Sequence, residues 1–326
     1  MHGPVRLPLI CAITCLYLIG GDAELVLAQQ VIAAQRYRVG AARVDVTPDY
    51  PVRLNGYGFR RNESEGVTAR IYARALVIDD GHPAVLVNVD NCAVSREFVE
   101  RVFREIHKAW GIPRERCALT VTHTHTAPMV RGVLTTIFGM PIPPEHQRRI
   151  DRYSAELEKR LVEVVGQALE RRRTAYLSWG IGSVGFAANR RTKNGPVDHD
   201  LPVLFARDTS GKTIAVLTTY ACHATTLWHN KISGDWPGYA QELIETDFHG
   251  CVALVTIGCG ADANPIERFG GDRPDLALRY GAQIAAEVKR LSGQYLAPVQ
   301  GQMACHYRDM ELPLEPLPSR AEWQGG

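Results

Sequence analysis

"CALTVTHTHTAP" (residues 117–128) passes from an apolar, strand-like run into threonines and two histidines two positions apart. In a strand, alternate side chains share a face, so this spacing predicts that His123 and His125 look into one cavity. Imidazole nitrogen is a common zinc ligand, and the pair reads as part of a metal or catalytic centre. Upstream, "SREFVERVFREIHKAWG" (95–111) opens on Ser95, a good N-cap, and closes on Gly111. Its Phe98, Val102, Ile106 and Trp110 fall on one helical face. A helix feeding a strand that ends in polar residues is the pattern of an α/β crossover.

The same alternation continues in both directions. "ARIYARALVIDD" (69–80) and "PAVLVNVD" (83–90) flank Asp80-Gly81 and read as a hairpin. "YRVGAARVDVTPDYPVRLNGYG" (37–58) reads as a strand followed by a long loop. Residues 145–173 read as one long amphipathic helix. Strands return at 175–186, 201–208, 213–224 and 251–260. Helices are expected from Pro237 and from Asp272 or Pro274, and "APVQGQMACHYRDMELPL" (297–314) reads as a closing strand. Strands and helices interleave, which predicts an α/β fold of layered mixed β-sheets flanked by helices. No internal repeat is visible.

Composition excludes some classes. The chain has 326 residues, 45% hydrophobic and 22% charged, with net charge +2, so nothing points to nucleic acid as a partner. No glycine fingerprint for dinucleotides, no P-loop and no GxSxG elbow occurs. The N-terminus has a basic Arg6, a short apolar run and small residues at Val26-Leu27-Ala28. It reads as a cleaved signal peptide over residues 1–28, and the protein is expected to be secreted or periplasmic. Six cysteines follow it, none in CxxC spacing, and most sit in apolar runs as small buried side chains.

Three more stretches end an apolar run in polar residues. "TIAVLTTYACHA" (213–224) carries His223, and on neighbouring strands His223 meets His123 from the other side. "KISGDWPGYAQE" (231–242) puts Asp235 in a tight turn before a helix. There it orients an imidazole, binds substrate hydroxyls or caps the helix. "TIGCGADANPIE" (256–267) runs from a buried strand into Gly258, Gly260, Asp262 and Asn264, where small residues let backbone approach a ligand.

Taken in order, these pieces resemble the neutral/alkaline non-lysosomal ceramidase family. The resemblance covers roughly residues 37–318. Its elements are Val39-Gly40 with "DVTP" (45–48), "NGYG" (55–58), "ARALVIDD", "THTHT", Asn189 to Thr192, "HAT" (223–225), "SGDWPGYA" and "GADANP". It implies a zinc hydrolase that cleaves the N-acyl bond of ceramide to sphingosine and a fatty acid. His123 and His223 are then Zn2+ ligands, and His125 is an acid/base or orienting neighbour. Asn264 falls where the family carries a serine; an amide there hydrogen-bonds a substrate hydroxyl or an oxyanion but is no nucleophile. The family's further zinc ligands, a glutamate and a tyrosine, have no equivalents here, which leaves His125, Asp235 and Asp262 as candidates to complete the site. The expectation is a catalytic domain over 29–326 lacking the family's C-terminal portion, with a lipid-like N-acyl substrate and contact with a membrane surface. Two other readings stay open. One is a non-catalytic relative or binding protein with an incomplete metal site. The other is a metal hydrolase of a different amide or ester.

Overall fold

The computed structural model describes residues 35–267 and 273–324. The expected signal peptide and Asp272 lie outside the described residues. Strand β1 (Arg36–Asp45) alternates as a strand buried on both faces must: Val39 and Ala41 enter one core, Ala42 and Val44 another. It pairs antiparallel with β2 (Tyr72–Asp79), which forms the expected hairpin with β3 (Pro83–Val89). Helix α1 (Arg96–Trp110) is capped as its sequence predicts. The Ser95 side chain accepts from the Phe98 amide, and Gly111 adopts the left-handed conformation that ends a helix. Strand β4 (Cys117–Val121) then pairs parallel with β3, and α2 (Pro144–Glu170) packs on β1 and β2.

The second half repeats this plan. Strands β5 (Arg173–Ser183), β7 (Asp200–Asp208) and β8 (Thr213–Tyr220) form an antiparallel meander. Helix α3 (Asp235–Asp247) crosses to β9 (Val252–Ile257), parallel to β8, and α4 (Pro274–Ser292) packs on α3. A short ribbon pairs β6 (Ala187–Asn189) with β10 (Ala263–Pro265). The main sheet runs β4-β3-β2-β1-β5-β7-β8-β9, a palindrome in which each half is three antiparallel strands, a helix, a parallel strand and a second helix. The sequence shows no repeat, but the topology does. Packing surfaces diverge freely in residue identity as long as their two-fold and 3.6-fold periods persist.

The sheet curls so that its halves face each other. Ala41 and Leu76 of the first half share a core with Leu177, Ala215 and Leu254 of the second. A second core lies between β1–β4 and helices α1 and α2, and a third between β7–β9 and helices α3 and α4. The architecture is therefore four layers, helix–sheet–sheet–helix. A buried polar network ties the layers together. Arg74 on β2 is wholly buried, with its guanidinium 3.1 Å from Asp90 and 3.3 Å from Glu245 of α3. Gln241 of α3 donates to Asp90 at 2.9 Å and accepts the Val255 amide at 3.2 Å.

Two expectations change. Helix α3 starts at Asp235 behind Gly234, two residues before Pro237. The closing strand shrinks to β11 (Ala297–Pro298) against β5. Residues 299–319 form no regular structure, and Met310, Leu312, Leu314 and Leu317 are exposed; the prolines at 298, 313, 316 and 318 cannot donate to a ladder. A short helix, α5 (Arg320–Gln324), follows. No described helix is long and apolar enough to cross a membrane. None of the six described cysteines is in a disulfide, and Cys92, Cys117, Cys222 and Cys251 are buried.

Candidate metal centre

Strand β3 runs parallel to β4 and β8 to β9; the two pairs run opposite ways along the sheet, and its curl brings the loops past their C-terminal ends together, where Thr124 bridges Ala224. Strand β4 stops at Val121, so the histidines stand in the loop beyond it and not within a strand. His123 adopts φ 53°, a conformation uncommon outside glycine. The alternation read from the sequence nevertheless survives. Thr122, Thr124 and Thr126 are fully buried, while His123 and His125 are only partly so. The threonines explain this. Thr124 Oγ1 and Thr126 Oγ1 donate to the Ser233 carbonyl at 3.0 and 2.9 Å, which fastens one side of the loop to the chain ahead of α3. The His125 amide donates to Ala224 O at 3.2 Å, joining this loop to the one after β8.

That junction brings three imidazoles together. Ring centroids lie 4.8 Å apart for His123–His125, 4.8 Å for His123–His223 and 5.7 Å for His125–His223. His123 Nδ1 donates to Cys92 O at 2.7 Å and His223 Nδ1 to Gly260 O at 2.7 Å. A carbonyl only accepts, so both Nδ1 atoms carry the proton and both Nε2 atoms present a lone pair. His123 Nε2 is 3.3 Å from His125 Nε2. Zinc–nitrogen bonds of about 2.0–2.1 Å at tetrahedral angles require about 3.3–3.4 Å between ligand nitrogens. His125 Nδ1 is buried and makes no well-formed hydrogen bond, although the Gly56 backbone acts on the ring. The His123–His125 spacing fits two ligands of a divalent metal ion; His223 joins them by ring position and lies outside the close group of ligating atoms.

Electrostatics favour neutral His125 and His223. Burial, then the neighbouring His123, His223 and Arg60, pushes His125 down to about 3. Burial also lowers His223. Gly56, at φ 93°, lies under the His125 ring; a Cβ there would stand 2.5 Å from its Cγ.

The remaining candidates divide. Asn264, on β10, accepts at 3.3 Å from Oγ1 of Thr225, which lies two residues past His223, and leaves its Nδ2 buried and unpartnered. Asp262 accepts from Asn189 Nδ2 at 3.3 Å, and its carbonyl takes the Arg190 amide at 2.7 Å. Asp235 is fully buried. Its carboxylate takes the Leu227 amide at 2.9 Å and the Trp236 amide at 2.6 Å, clamping the loop that follows His223 to the start of α3. Burial raises its carboxyl to about 6.

Sequence reading missed three participants. Cys92 joins His123 and His125 in a group whose ligating atoms all lie within 4.8 Å of one another. The signal was its place three residues past β3, beside a parallel neighbour. Arg60, 4% exposed, donates to the His125 carbonyl and stacks over Tyr57 at 4.6 Å. Tyr57 in turn meets the His125 ring at 4.9 Å and stacks on Phe59, whose edge faces Trp228. Phe59 is 58% exposed, so an aromatic path leads from the surface to His125.

Fold and site define a four-layered α/β protein with a candidate metal centre where two parallel strand pairs end. The neutral/alkaline non-lysosomal ceramidase N-terminal family profile matches residues 37–256, more than half of the chain, and the chain belongs to that family. Neutral ceramidase A of Dictyostelium discoideum is 24% identical over 240 residues, covering 68% of this chain and 34% of the relative. Neutral ceramidase of Drosophila melanogaster is 23% identical over 234 residues, covering 67% of this chain and 33% of the relative. A solved ceramidase complexed with C2 superposes with TM-score 0.71 at 22% identity, over 82% of this chain and 45% of that one. The neutral ceramidase of Pseudomonas aeruginosa superposes with TM-score 0.70, also at 22% identity, over 82% and 46%. The chain spans about a third of the length of these curated relatives.

Proposed function

We propose that this chain carries the centre of a zinc-dependent amide hydrolase of ceramidase type, which releases a fatty acid and an amine from a lipid-like N-acyl substrate. The observation that carries this reading is the convergence of His123, His125 and His223, with the Nε2 atoms of His123 and His125 3.3 Å apart. His123 and His223 hold the metal through Nε2, each ring fixed by its Nδ1 donor bond. When bound, zinc supplies Lewis acidity toward the amide carbonyl and the attacking water. His125, held neutral by its burial, is a poor proton acceptor and serves to orient and add a lone pair. The buried Nδ2 of Asn264 donates to a substrate oxygen, and Asp262 holds the Asn189–Arg190 segment beside it. Asp235 acts at one remove, by fixing the loop after His223. The Tyr57–Phe59–Trp228 path receives the apolar chain.

Residues 1–28 as an export signal, 29–326 as the catalytic module, and action at a membrane surface belong to the same reading. Asn264 favours a second one, in which the same centre hydrolyses another amide or ester.

The test is the metal content of purified protein together with turnover of a fluorescent N-acylsphingosine. About one equivalent of zinc with turnover supports the proposal. Zinc with turnover of other amides alone moves the substrate to the second reading. Less than about a tenth of an equivalent after growth in zinc leaves a binding protein with an incomplete site.

A further inference from the structure

We propose that Cys92 is itself a metal ligand, so that this chain builds a mixed thiolate–imidazole centre. The inference rests on the metal reading above and goes beyond it. Cys92 Sγ, His123 and His125 already stand with their ligating atoms within 4.8 Å. Tetrahedral zinc, with bonds of about 2.3 Å to sulfur and about 2.0–2.1 Å to nitrogen, needs about 3.6 Å between S and N. Closing on the ion therefore takes about 1 Å of side-chain motion. The carbonyl of Cys92 receives the His123 Nδ1 proton at 2.7 Å, so the thiol and the ring are held as one unit.

The duplicated topology supplies an independent argument. In the first half the last parallel pair is Val89 with Val121, and the Thr122 amide donates to Val89 O at 3.0 Å. In the second half the last pair is Tyr220 with Ile257, and the Gly258 amide donates to Tyr220 O at 3.1 Å. The two strand ends are built alike. Cys92 is the third residue past Val89, and His223 is the third past Tyr220. Each half thus sends a side chain with a metal-binding atom from the same position, one a thiol and the other an imidazole.

Charge bears on this assignment through Arg60. Arg60 is buried beside the cluster, with Nε and Nη2 lacking hydrogen-bond partners and no carboxylate in an ion pair with it among the described residues. Burial alone pushes the Cys92 thiol up to about 12 and Arg60 draws it down, so the thiolate form needs the metal itself; Asp235 also acts on Arg60. A thiolate at Cys92 gives that guanidinium a counter-charge. On binding, the S–H bond breaks, the proton leaves to solvent and the S–metal bond forms, so the thiolate–metal unit carries one positive charge less than the free ion. Such a site selects borderline and soft divalent ions, zinc and cobalt, over magnesium or calcium.

Cobalt(II) titrated into the chelator-treated full chain tests this without any turnover. The expected result is a near-ultraviolet thiolate-to-cobalt charge-transfer band. It should disappear in Cys92→Ser while the visible ligand-field bands remain, with zinc affinity down about ten-fold or more. Cys259→Ser, which alters the exposed cysteine after β9, keeps the band. Cobalt bound to the native chain with an imidazole-only spectrum overturns Cys92 as a ligand and leaves the hydrolase reading standing. That result decides the matter even where Cys92→Ser fails to fold. A charge-transfer band that persists in folded Cys92→Ser also overturns it. Failure of the native chain to bind either cobalt or zinc overturns both proposals.

Discussion

His123 Nε2 and His125 Nε2 stand 3.3 Å apart, and the Nδ1 bond from His123 to Cys92 O leaves the His123 Nε2 with an unprotonated lone pair. A cation at this point binds the folded chain and not the unfolded one. Free zinc at about a thousand times Kd therefore stabilises the fold by about 4 kcal/mol, roughly 10 °C in Tm for a chain of this size. Calorimetry of chelator-treated protein with and without zinc measures the difference, and His123→Ala and His223→Ala each lose most of it. Equal melting temperatures in the native protein would sink the metal assignment.

Gly56 bears on the same pair from below. Its φ of 93° strains any other residue, and an added Cβ stands 2.5 Å from His125 Cγ. Gly56→Ala should destabilise the protein by about 1–3 kcal/mol and push the His125 ring off its position. Zinc affinity, read by competition with a chromogenic chelator, falls in step. An unchanged affinity would show that His125 plays no part in holding the ion.

Arg74 answers two buried carboxylates, Asp90 and Glu245, and Asp90 lies two residues before Cys92. Arg74→Met leaves Asp90 without an ion-pair partner and Glu245 with Arg43 alone, a loss of about 3–5 kcal/mol in urea unfolding. Combining it with Asp90→Asn and Glu245→Gln should recover much of the loss, because the penalty comes from unpaired charge. If the triple variant is no better than the single one, packing and not charge explains the effect.

The sequence made the hairpin around Gly81, the capped α1 and the interleaving of strands with helices readable, because each rests on local period and turn chemistry. It also marked His123, His125 and His223, since a polar residue after an apolar strand stands out. Cys92 did not stand out, because a cysteine in an apolar context reads as core until a parallel neighbour brings a histidine beside it. The topological repeat was hidden for a related reason: it lies in strand order, which no single segment encodes. The segment 297–314 misled because alternating apolar residues imply a strand only where a sheet edge is open, and β11 meets β5 over two residues alone. Asp235 read equally well as an imidazole partner or a helix cap. Its carboxylate instead reaches forward to its neighbour's amide and back to Leu227, a long-range choice made by tertiary packing.

That buried position gives Asp235 a measurable pH signature. Burial lifts its carboxyl from 3.8 to about 6 in the folded chain. The folded state therefore binds a proton that the unfolded state has already lost between about pH 4 and 6, and unfolding free energy falls as pH rises through that window. Above about pH 6 the charged, buried carboxylate costs about 3 kcal/mol relative to acid conditions, from the two-unit shift. Asp235→Asn keeps the shape and cannot ionise. The native protein should thus lose about 3 kcal/mol against Asp235→Asn between about pH 4 and pH 8, in urea unfolding of both. Parallel pH profiles for the two proteins would mean that the carboxylate is solvated as well in the fold as outside it, and that its clamp on Leu227 does not depend on charge.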